Sequence, residues 1–132
     1  MVKVGLVGCG RIMPAHLQGY KTLVEKNVDV QIKALCARRI EDAKRYRHPK
    51  DGVLPMEPVG PPGDPLAVPH LYVSDFQRDT DVEVYDDYKQ MLVKAGIDAV
   101  FVCTPPAFHF RVVMDAIEYG KHVFCEKPLA TT

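Results

Sequence analysis

The first dozen residues place an apolar strand directly before two glycines and the start of a helix, in the run Val4–Met13 (VGLVGCGRIM). Gly8 suits the tight turn that such a junction needs, and the absent side chain of Gly10 lets a bound group come close to the backbone. The N–H groups at the start of the helix would face an anion. The run therefore predicts a dinucleotide phosphate site. Because Met13 stands where the pattern G-x-G-x-x-G has its third glycine, an ordinary strand-to-helix turn is the alternative.

Composition narrows the class of protein. A chain of 132 residues with 47% hydrophobic residues fits one globular domain with a core of its own. Its 17 acidic residues balance 17 lysines and arginines, so no basic field predicts a nucleic-acid partner or an anionic membrane surface. The chain starts directly in a core strand, and we find neither a signal peptide nor a run long enough to span a bilayer. We therefore expect a cytoplasmic protein.

Strand and helix patterns alternate along the chain. Short apolar runs predict strands, and apolar stripes at helical spacing predict helices. This order is typical of a parallel sheet with helices on both faces, so the predicted fold class is α/β: a Rossmann-like, doubly wound, three-layer αβα domain. The continuously apolar run 99–103 predicts a strand that is covered on both faces. The predicted strands are 4–7, 28–36, 82–85, 99–103 and 122–125. The predicted helices begin near residues 12, 40, 87 and 106, and the second of them is short and ends at about Arg47.

Two of the helix predictions include specific residues. Asp86 or Asp87 is expected to cap a helix that runs to Ala95 and stops at Gly96. The last helix, which ends at Gly120, is expected to bury one apolar side. That side comprises Phe108, Val112, Val113, Ala116 and Ile117.

Residues 48–80 form a long proline-rich insertion within a single domain, 1–132. They contain seven of the 11 prolines and three of the nine glycines, so regular helix or strand cannot persist there; only Leu71–Val73 is predicted as a short strand. The ends of the insertion fall at the N-terminal edge of the sheet, opposite the predicted phosphate site. A loop of this length is usually functional or disordered, and its position favours contact with a partner over catalysis.

The segments that follow the strands share one character. In an open parallel sheet, ligands bind outside the carboxyl ends of the strands. The residues there are small, polar or proline-bearing, in segments 8–13, 37–39, 104–109 and 126–128. This convergence predicts a site more strongly than the glycine pattern does alone.

The four cysteines also fall at strand ends, but they lack C-x-x-C pairing. We interpret them as small buried hydrophobic residues, with a metal or iron–sulfur site as the alternative. Disulfides are not expected in a reducing compartment. His16 lies in the first helix and is predicted to pack there without a functional role.

Three motifs resemble, in order, the N-terminal domain of the Gfo/Idh/MocA oxidoreductases: Gly8–Ile12 (GCGRI), Cys103–His109 (CTPPAFH) and Glu126–Ala130 (EKPLA). The resemblance covers everything except the insertion, because three further segments are similarly spaced. Members of the family bind NAD or NADP in this domain and transfer hydride to or from a carbon that bears oxygen, commonly on sugars, inositols or related molecules. The further segments are Tyr85–Tyr88, Gly96–Val100 and Gly120–Val123.

The resemblance implies a role for each matching residue. Lys127 resembles the family lysine beside the nicotinamide and the substrate, where it would act as the catalytic base; a solvated loop lysine is the alternative. Glu126 resembles the residue that approaches the nicotinamide ribose, and Pro128 fixes the loop. His109 either contacts the cofactor or packs. Together with two arginines considered next, the predicted cofactor-binding residues are Gly8, Cys9, Gly10, Arg11, Ile12, Arg38, Arg39, Cys103, Thr104, Pro105, His109, Glu126, Lys127 and Pro128.

The residues after the second strand predict which cofactor is preferred. NAD-specific enzymes place an acid there, which binds the ribose hydroxyls and would repel the extra phosphate of NADP. This chain has Ala37, followed by Arg38 and Arg39. A small residue followed by a guanidinium accommodates a phosphate, so we predict NADP as the preferred cofactor and NAD as the second, with Arg38 as the leading contact. A solvated basic patch is the alternative.

The resemblance also implies what lies beyond this chain. The family continues past the position of Thr132 into a second domain that carries the substrate site and dimer contacts. We therefore expect a fragment of a homo-oligomeric enzyme, and a small-molecule substrate that this chain alone does not enclose. A non-catalytic dinucleotide-binding or protein-interaction module is the alternative, and a methyltransferase-like fold is a lesser one, disfavoured by Glu126–Pro128.

Overall fold

The computed structural model describes residues 1–10, 13–55, 63, 68–78, 81–104 and 106–125. Within these residues, strands and helices alternate in the predicted order, which confirms the α/β class. None of the described helices is long and apolar enough to cross a bilayer. The strands are β1 (Val2–Val7), β2 (Val30–Cys36), β3 (Glu83–Tyr85), β4 (Ala99–Val102) and β5 (His122–Cys125), and the helices are α1 (Met13–Glu25), α2 (Ile40–Arg47), α3 (Tyr88–Lys94) and α4 (Pro106–Glu118).

The described strands form one parallel sheet in the order β3-β2-β1-β4-β5. The central strand β1 pairs on one side with β2 and on the other with β4, so that Val7 lies beside both Cys36 and Val102. Because every strand pair is parallel, the carboxyl ends of all five strands lie at one edge of the sheet. The chain adds strands first on one side of β1 and then on the other, so the direction of winding reverses between β1 and β4.

Helices cover the two faces of the sheet and enclose two cores. Helices α1 and α2 pack on one face, and α3 and α4 pack on the other. The central strands β1 and β2 are therefore largely buried between two helical layers, in the predicted three-layer arrangement. The first core includes Leu6, Met13, Leu17, Ile32 and Tyr46, and the second includes Ala34, Met91, Leu92, Val100, Val112 and Ala116.

Local sequence signals set several of the observed boundaries. The Asp87 carboxylate accepts a hydrogen bond from the Lys89 N–H at 2.9 Å and caps α3, and Gly96 follows the helix with φ +65°, as predicted. Helix α2 also has its predicted limits. Strand β2 begins two residues later than predicted, because Val28 and Asn27 turn the chain out of α1, and Asn27 has φ 61°.

The buried side of α4 differs from the prediction. Phe108 and Ile117 are 41% and 56% exposed, so their assignment to the core was wrong. Val112 and Ala116 are buried as predicted, and His109 completes the buried stripe. Apolar residues occur on nearly every side of this helix, so periodicity alone does not select a face; packing against α3 and the sheet does.

One face of β4 and β5 is less covered than the continuously apolar run predicts. Phe101 is only partly buried, Phe124 is 69% exposed, and their rings stack at 5.3 Å. The expectation that both faces of the run 99–103 are covered was therefore wrong for the described residues. An apolar groove of about 550 Å³ lies on this face, lined also by Tyr20 and Leu23.

The described part of the insertion packs against the domain. Leu71–Val73 is not a strand: Tyr72 is extended and Val73–Asp75 form a 3₁₀ turn, because the Tyr72 N–H donates to the Asp75 carboxylate at 2.9 Å. Val73 is fully buried. Whether the insertion contacts a partner stays a prediction.

Two side-chain contacts fix the insertion to the sheet and to α2. The Gln77 amide pairs with the backbone of Ile32, accepting from its N–H at 2.8 Å and donating to its carbonyl at 2.6 Å. Gln77 thereby continues the hydrogen bonding of β2 with a side chain. The Arg47 guanidinium makes two hydrogen bonds of 2.9 Å to the Asp51 carboxylate and another to the Val82 carbonyl, and this pairing lowers the pKa of Asp51.

Candidate functional site

A cleft of about 690 Å³ opens at the carboxyl edge of the sheet, where the winding reverses. Its floor is the turn after β1, and its walls are the residues that follow β2, β3 and β4 together with the first turns of α4. The cleft therefore lies where open parallel sheets bind ligands. It is lined by Val7, Gly8, Cys9, Gly10, Cys36, Ala37, Arg38, Asp42, Asp86, Asp87, Tyr88, Cys103, Thr104, Phe108, Arg111 and Val112.

Gly8 is fixed as glycine by two independent constraints. Its φ is +95°, a conformation that L side chains rarely adopt. A Cβ atom there would lie 2.7 Å from the carbonyl carbon of Cys103 and from the nitrogen of Thr104. The Gly8 N–H donates to the Cys36 carbonyl at 2.8 Å. The turn after β1 thus contacts the backbone that follows β4, which brings the two segments together at the floor of the cleft.

Gly10 has different surroundings. No heavy atom of the described residues lies within 4 Å of the position that a Cβ would take, so the glycine leaves open space at the cleft. The Tyr46 hydroxyl donates to the Gly10 carbonyl at 2.8 Å and ties the turn to α2. Met13 is fully buried in the core between α1 and the sheet. The side chain in place of a third glycine is therefore accommodated by packing.

The turn after β4 contributes a buried hydroxyl and a buried imidazole. Among the described residues, the Thr104 Oγ1 atom has no hydrogen-bond partner although it is buried. Thr104 lines the cleft, so a ligand bound there could satisfy this atom. His109 is 2% exposed, and its Nε2 atom hydrogen-bonds to the Thr104 carbonyl. The buried imidazole thus bonds to the backbone of the turn and does not line the cleft.

Arg38 extends from the end of β2 across the cleft. Its guanidinium carbon lies 5.7 Å from the centroid of the Phe108 ring on α4, which is within the range of a cation–π interaction. Arg39, by contrast, is exposed at the start of α2 and does not line the cleft. The structure therefore separates the two arginines that sequence reasoning grouped together.

Three carboxylates also line the cleft, and two of them are occupied by other groups. Asp42 forms an ion pair of 2.8 Å with Arg45, and Asp87 caps α3. Asp86 is the third. The thiols are unreactive in character: burial raises the pKa of Cys36 to about 12 and raises that of Cys9 further above its ordinary value, so neither supplies a thiolate at neutral pH.

The structure brings together six of the residues that the sequence predicts to bind a cofactor. His109 is buried and Arg39 is exposed, and neither lines the cleft. Arg11, Ile12, Pro105, Glu126, Lys127 and Pro128 lie outside the described residues. Sequence reasoning assigned no cofactor contact to Phe108 or Arg111. The signal that could have found them is their position in the first turns of α4, where Phe108 lies within the Cys103–His109 motif and Arg111 two residues after it. The six residues in the cleft are Gly8, Cys9, Gly10, Arg38, Cys103 and Thr104.

The strand order, the glycine turn at the reversal between β1 and β4, and the cleft above it define a Rossmann-type dinucleotide-binding domain. Residues 69–132 match the family model described as "Oxidoreductase family, NAD-binding Rossmann fold". The match covers just under half of the chain, and with the relatives and solved structures described next it identifies residues 69–132 as part of the NAD-binding domain of a Gfo/Idh/MocA oxidoreductase.

Curated relatives match part of the chain. Inositol 2-dehydrogenase of Burkholderia multivorans is 46% identical over 52 residues, which is 39% of this chain and 15% of the relative. D-glucoside 3-dehydrogenase of Escherichia coli is 47% identical over 49 residues, which is 37% of this chain and 14% of the relative.

Solved structures match the fold over the whole chain. The scyllo-inositol dehydrogenase from Lactobacillus casei, solved with bound NAD(H) and scyllo-inositol, superposes with a TM-score of 0.64 at 26% identity. The match covers 100% of this chain and 29% of that one. The chain therefore spans less than a third of the length of this relative.

Proposed function

We propose that this chain is the cofactor domain of an oxidoreductase that transfers hydride between NADP(H) or NAD(H) and a hydroxyl-bearing or carbonyl carbon of a sugar- or polyol-like substrate. One observation carries the proposal: the glycine turn after β1, the Cys103–Thr104 turn after β4 and Arg38 after β2 line the same cleft. The open space at Gly10 and the buried Thr104 hydroxyl fit a bound dinucleotide.

The residues of this chain divide the work of binding and proton transfer. The backbone at Gly8–Gly10 would receive the pyrophosphate, and the Thr104 hydroxyl would bond to the cofactor along its path. A bound nicotinamide would take the hydride from the substrate carbon. Lys127, a catalytic residue by its family resemblance, would take the proton from the substrate hydroxyl, so that a carbonyl forms. Glu126 would contact the nicotinamide ribose, in a loop fixed by Pro128.

We further propose that NADP is the preferred cofactor. Ala37 leaves room beside the ribose, and Arg38 lines the cleft with an exposed guanidinium. The nearby Asp42 carboxylate is already paired with Arg45, so it opposes a phosphate less than a free acid would. Arg39 is exposed outside the cleft, and we assign it the lesser contribution.

Titration of both cofactors tests this preference. NADP is expected to bind at least about tenfold more tightly than NAD, because a charge-assisted contact to phosphate is worth about 1.5–3 kcal/mol. Arg38→Ala should remove most of that difference and leave NAD affinity within about twofold, since the arginine contacts only the extra phosphate. Equal affinity of the wild type for both cofactors, or tighter binding of NAD, would contradict the assignment.

The substrate class rests on the relatives. The inositol and glucoside dehydrogenases are named for oxidation of polyol and sugar hydroxyls, and they are much longer than this chain. We therefore propose that a second domain supplies the substrate site and the contacts of a homo-oligomer, and that the enzyme is cytoplasmic. The partner of the domain is then a small molecule and neither nucleic acid nor membrane.

A chimera tests the catalytic role. This chain, joined to the part of the scyllo-inositol dehydrogenase that lies beyond the match, is expected to reduce NADP with an inositol or a glucoside. Lys127→Met should reduce kcat by at least about a hundredfold, the contribution of a general base, and leave cofactor affinity nearly unchanged. Binding of cofactor without turnover in the wild-type chimera would favour the non-catalytic module.

A further inference from the structure

The first turns of α4 present a second wall of the cleft that the glycine turn does not explain. Phe108, Arg111 and Val112 line the cleft together, because residues three and four apart share one face of a helix. This wall faces Arg38, which reaches it from the end of β2. One end of the cleft is therefore bounded by Arg38, which follows β2, and by Phe108 and Arg111, which follow β4 on the other side of β1.

Phe108 has the properties of a stacking platform. Its ring is 41% exposed although it is a large apolar side chain, and the exposed ring lines a cleft. The Arg38 guanidinium lies 5.7 Å from the ring centroid, which shows that a flat cationic group already approaches the ring. Purine bases stack on such rings without a requirement for hydrogen bonding, as the aromatic platforms of nucleic-acid-binding proteins show.

Arg111 brings a second uncommitted positive charge to the same wall. Its nearest helical carboxylate is Asp115, one turn later, but Asp115 accepts a hydrogen bond from the Tyr88 hydroxyl. Within the described part of the chain, Arg111 makes neither a hydrogen bond nor an ion pair with another residue. The guanidinium of Arg111 therefore lies near Phe108, while Asp115, its expected acidic partner, is bonded to Tyr88 of α3.

We propose that Phe108 and Arg111 form, with Arg38, a subsite for an adenosine 2′-phosphate. The adenine stacks on the Phe108 ring, and the phosphate is bound between the guanidinium groups of Arg38 and Arg111. Two arginines on opposite walls suit a dianionic phosphate, because each can donate two parallel hydrogen bonds. This inference rests on the proposed function. It gives Phe108 and Arg111 a part in cofactor binding that the sequence analysis did not assign to them.

The test uses the purified chain and two fragments of the cofactors, 2′,5′-ADP and 5′-ADP, titrated by calorimetry. Arg111→Ala is expected to lower the affinity for 2′,5′-ADP about tenfold and that for 5′-ADP less than twofold, because only 2′,5′-ADP carries the 2′-phosphate. Phe108→Ala is expected to weaken both ligands about tenfold, because both carry the base. Phe108→Tyr, which keeps an aromatic face, should restore most of the affinity.

Matched controls come from residues outside the cleft. Phe110→Ala removes a ring that is 61% exposed on another side of α4, and Lys94→Ala removes one positive charge from the exposed end of α3. Both should leave the two affinities unchanged, and circular dichroism should show that all the variants fold, since the substituted side chains are exposed.

The outcomes separate this inference from the proposed function. Failure of the wild type to bind either ligand overturns both. If the wild type binds and Arg111→Ala leaves both affinities unchanged, or lowers them equally, the phosphate subsite is overturned while the dinucleotide site stands. Unchanged affinity in Phe108→Ala overturns the adenine platform.

Discussion

The variant Gly8→Ala separates two physical constraints at the floor of the cleft. The first is the backbone: φ is +95°, and holding an L residue in the left-handed region costs about 1–2 kcal/mol. The second is contact: the new Cβ would lie 2.7 Å from two backbone atoms of Cys103 and Thr104. Backbone atoms cannot turn aside as a flexible side chain can, so we add about 1–3 kcal/mol, the usual cost of overpacking.

The expected loss in the free energy of unfolding is therefore about 2–5 kcal/mol, which is a large part of the 5–15 kcal/mol typical of a domain. Urea denaturation followed by circular dichroism measures it. Gly96→Ala isolates the backbone cost, because Gly96 also has a positive φ of +65° but has no described heavy atom within 4 Å of the added Cβ. Its expected loss is about 1–2 kcal/mol.

Gly10→Ala supplies the opposite control. Gly10 has open space at its Cβ position and does not have a positive φ, so the free energy of unfolding should change by less than about 0.5 kcal/mol. Nucleotide affinity should nevertheless fall, because the methyl group would occupy the space that we assign to the pyrophosphate. If Gly8→Ala lowers the free energy of unfolding no more than Gly96→Ala does, the contact with the backbone after β4 adds no measurable cost and the reasoning is refuted.

Three further predictions concern contacts around the cleft and the insertion. Tyr46→Phe removes the bond to the Gly10 carbonyl and should cost about 1 kcal/mol of unfolding free energy together with nucleotide affinity; unchanged affinity would show that this bond does not position the turn. Gln77→Ala deletes both hydrogen bonds to Ile32 and should cost about 2 kcal/mol in urea denaturation, whereas an unchanged midpoint would mean that water replaces the amide. The pKa of Asp51 is lowered in the folded state, so its pairing with Arg47 stabilises the fold above the unfolded pKa of about 4, and this stabilisation is lost as the pH falls further. Asp51→Asn should therefore reduce the loss of unfolding free energy that the wild type shows at acid pH. An unchanged pH dependence below pH 4 would exclude this stabilisation.

The sequence predicted those features that depend on neighbouring residues. The glycine turn, the limits of α2, the cap at Asp87 and the stop at Gly96 follow from backbone preferences and from hydrogen bonds that span a few positions. The alternation of strands and helices was sufficient for the fold class, because a parallel strand requires a crossover connection. The segments that follow the strands were predicted to share one edge for the same reason.

Long-range packing decided what these local signals could not. Helix α4 is apolar on nearly every side, so only its contacts with α3 and the sheet select His109, Val112 and Ala116 as the buried stripe. That choice turns Phe108 toward the cleft. In the same way, the Gln77 amide pairs with β2 across 45 residues of sequence, a contact that no local pattern contains.

The sequence by itself therefore determined the class of fold, the edge of the sheet at which the cleft lies and the family motifs. The tertiary structure decided which side chains line the cleft: it included Arg38, Phe108 and Arg111, left Arg39 outside, and buried His109 against the turn after β4. The physical reason is that strand order and turns follow from local conformational preference. The rotation of a helix about its own axis is set only by the burial of its side chains against distant parts of the chain.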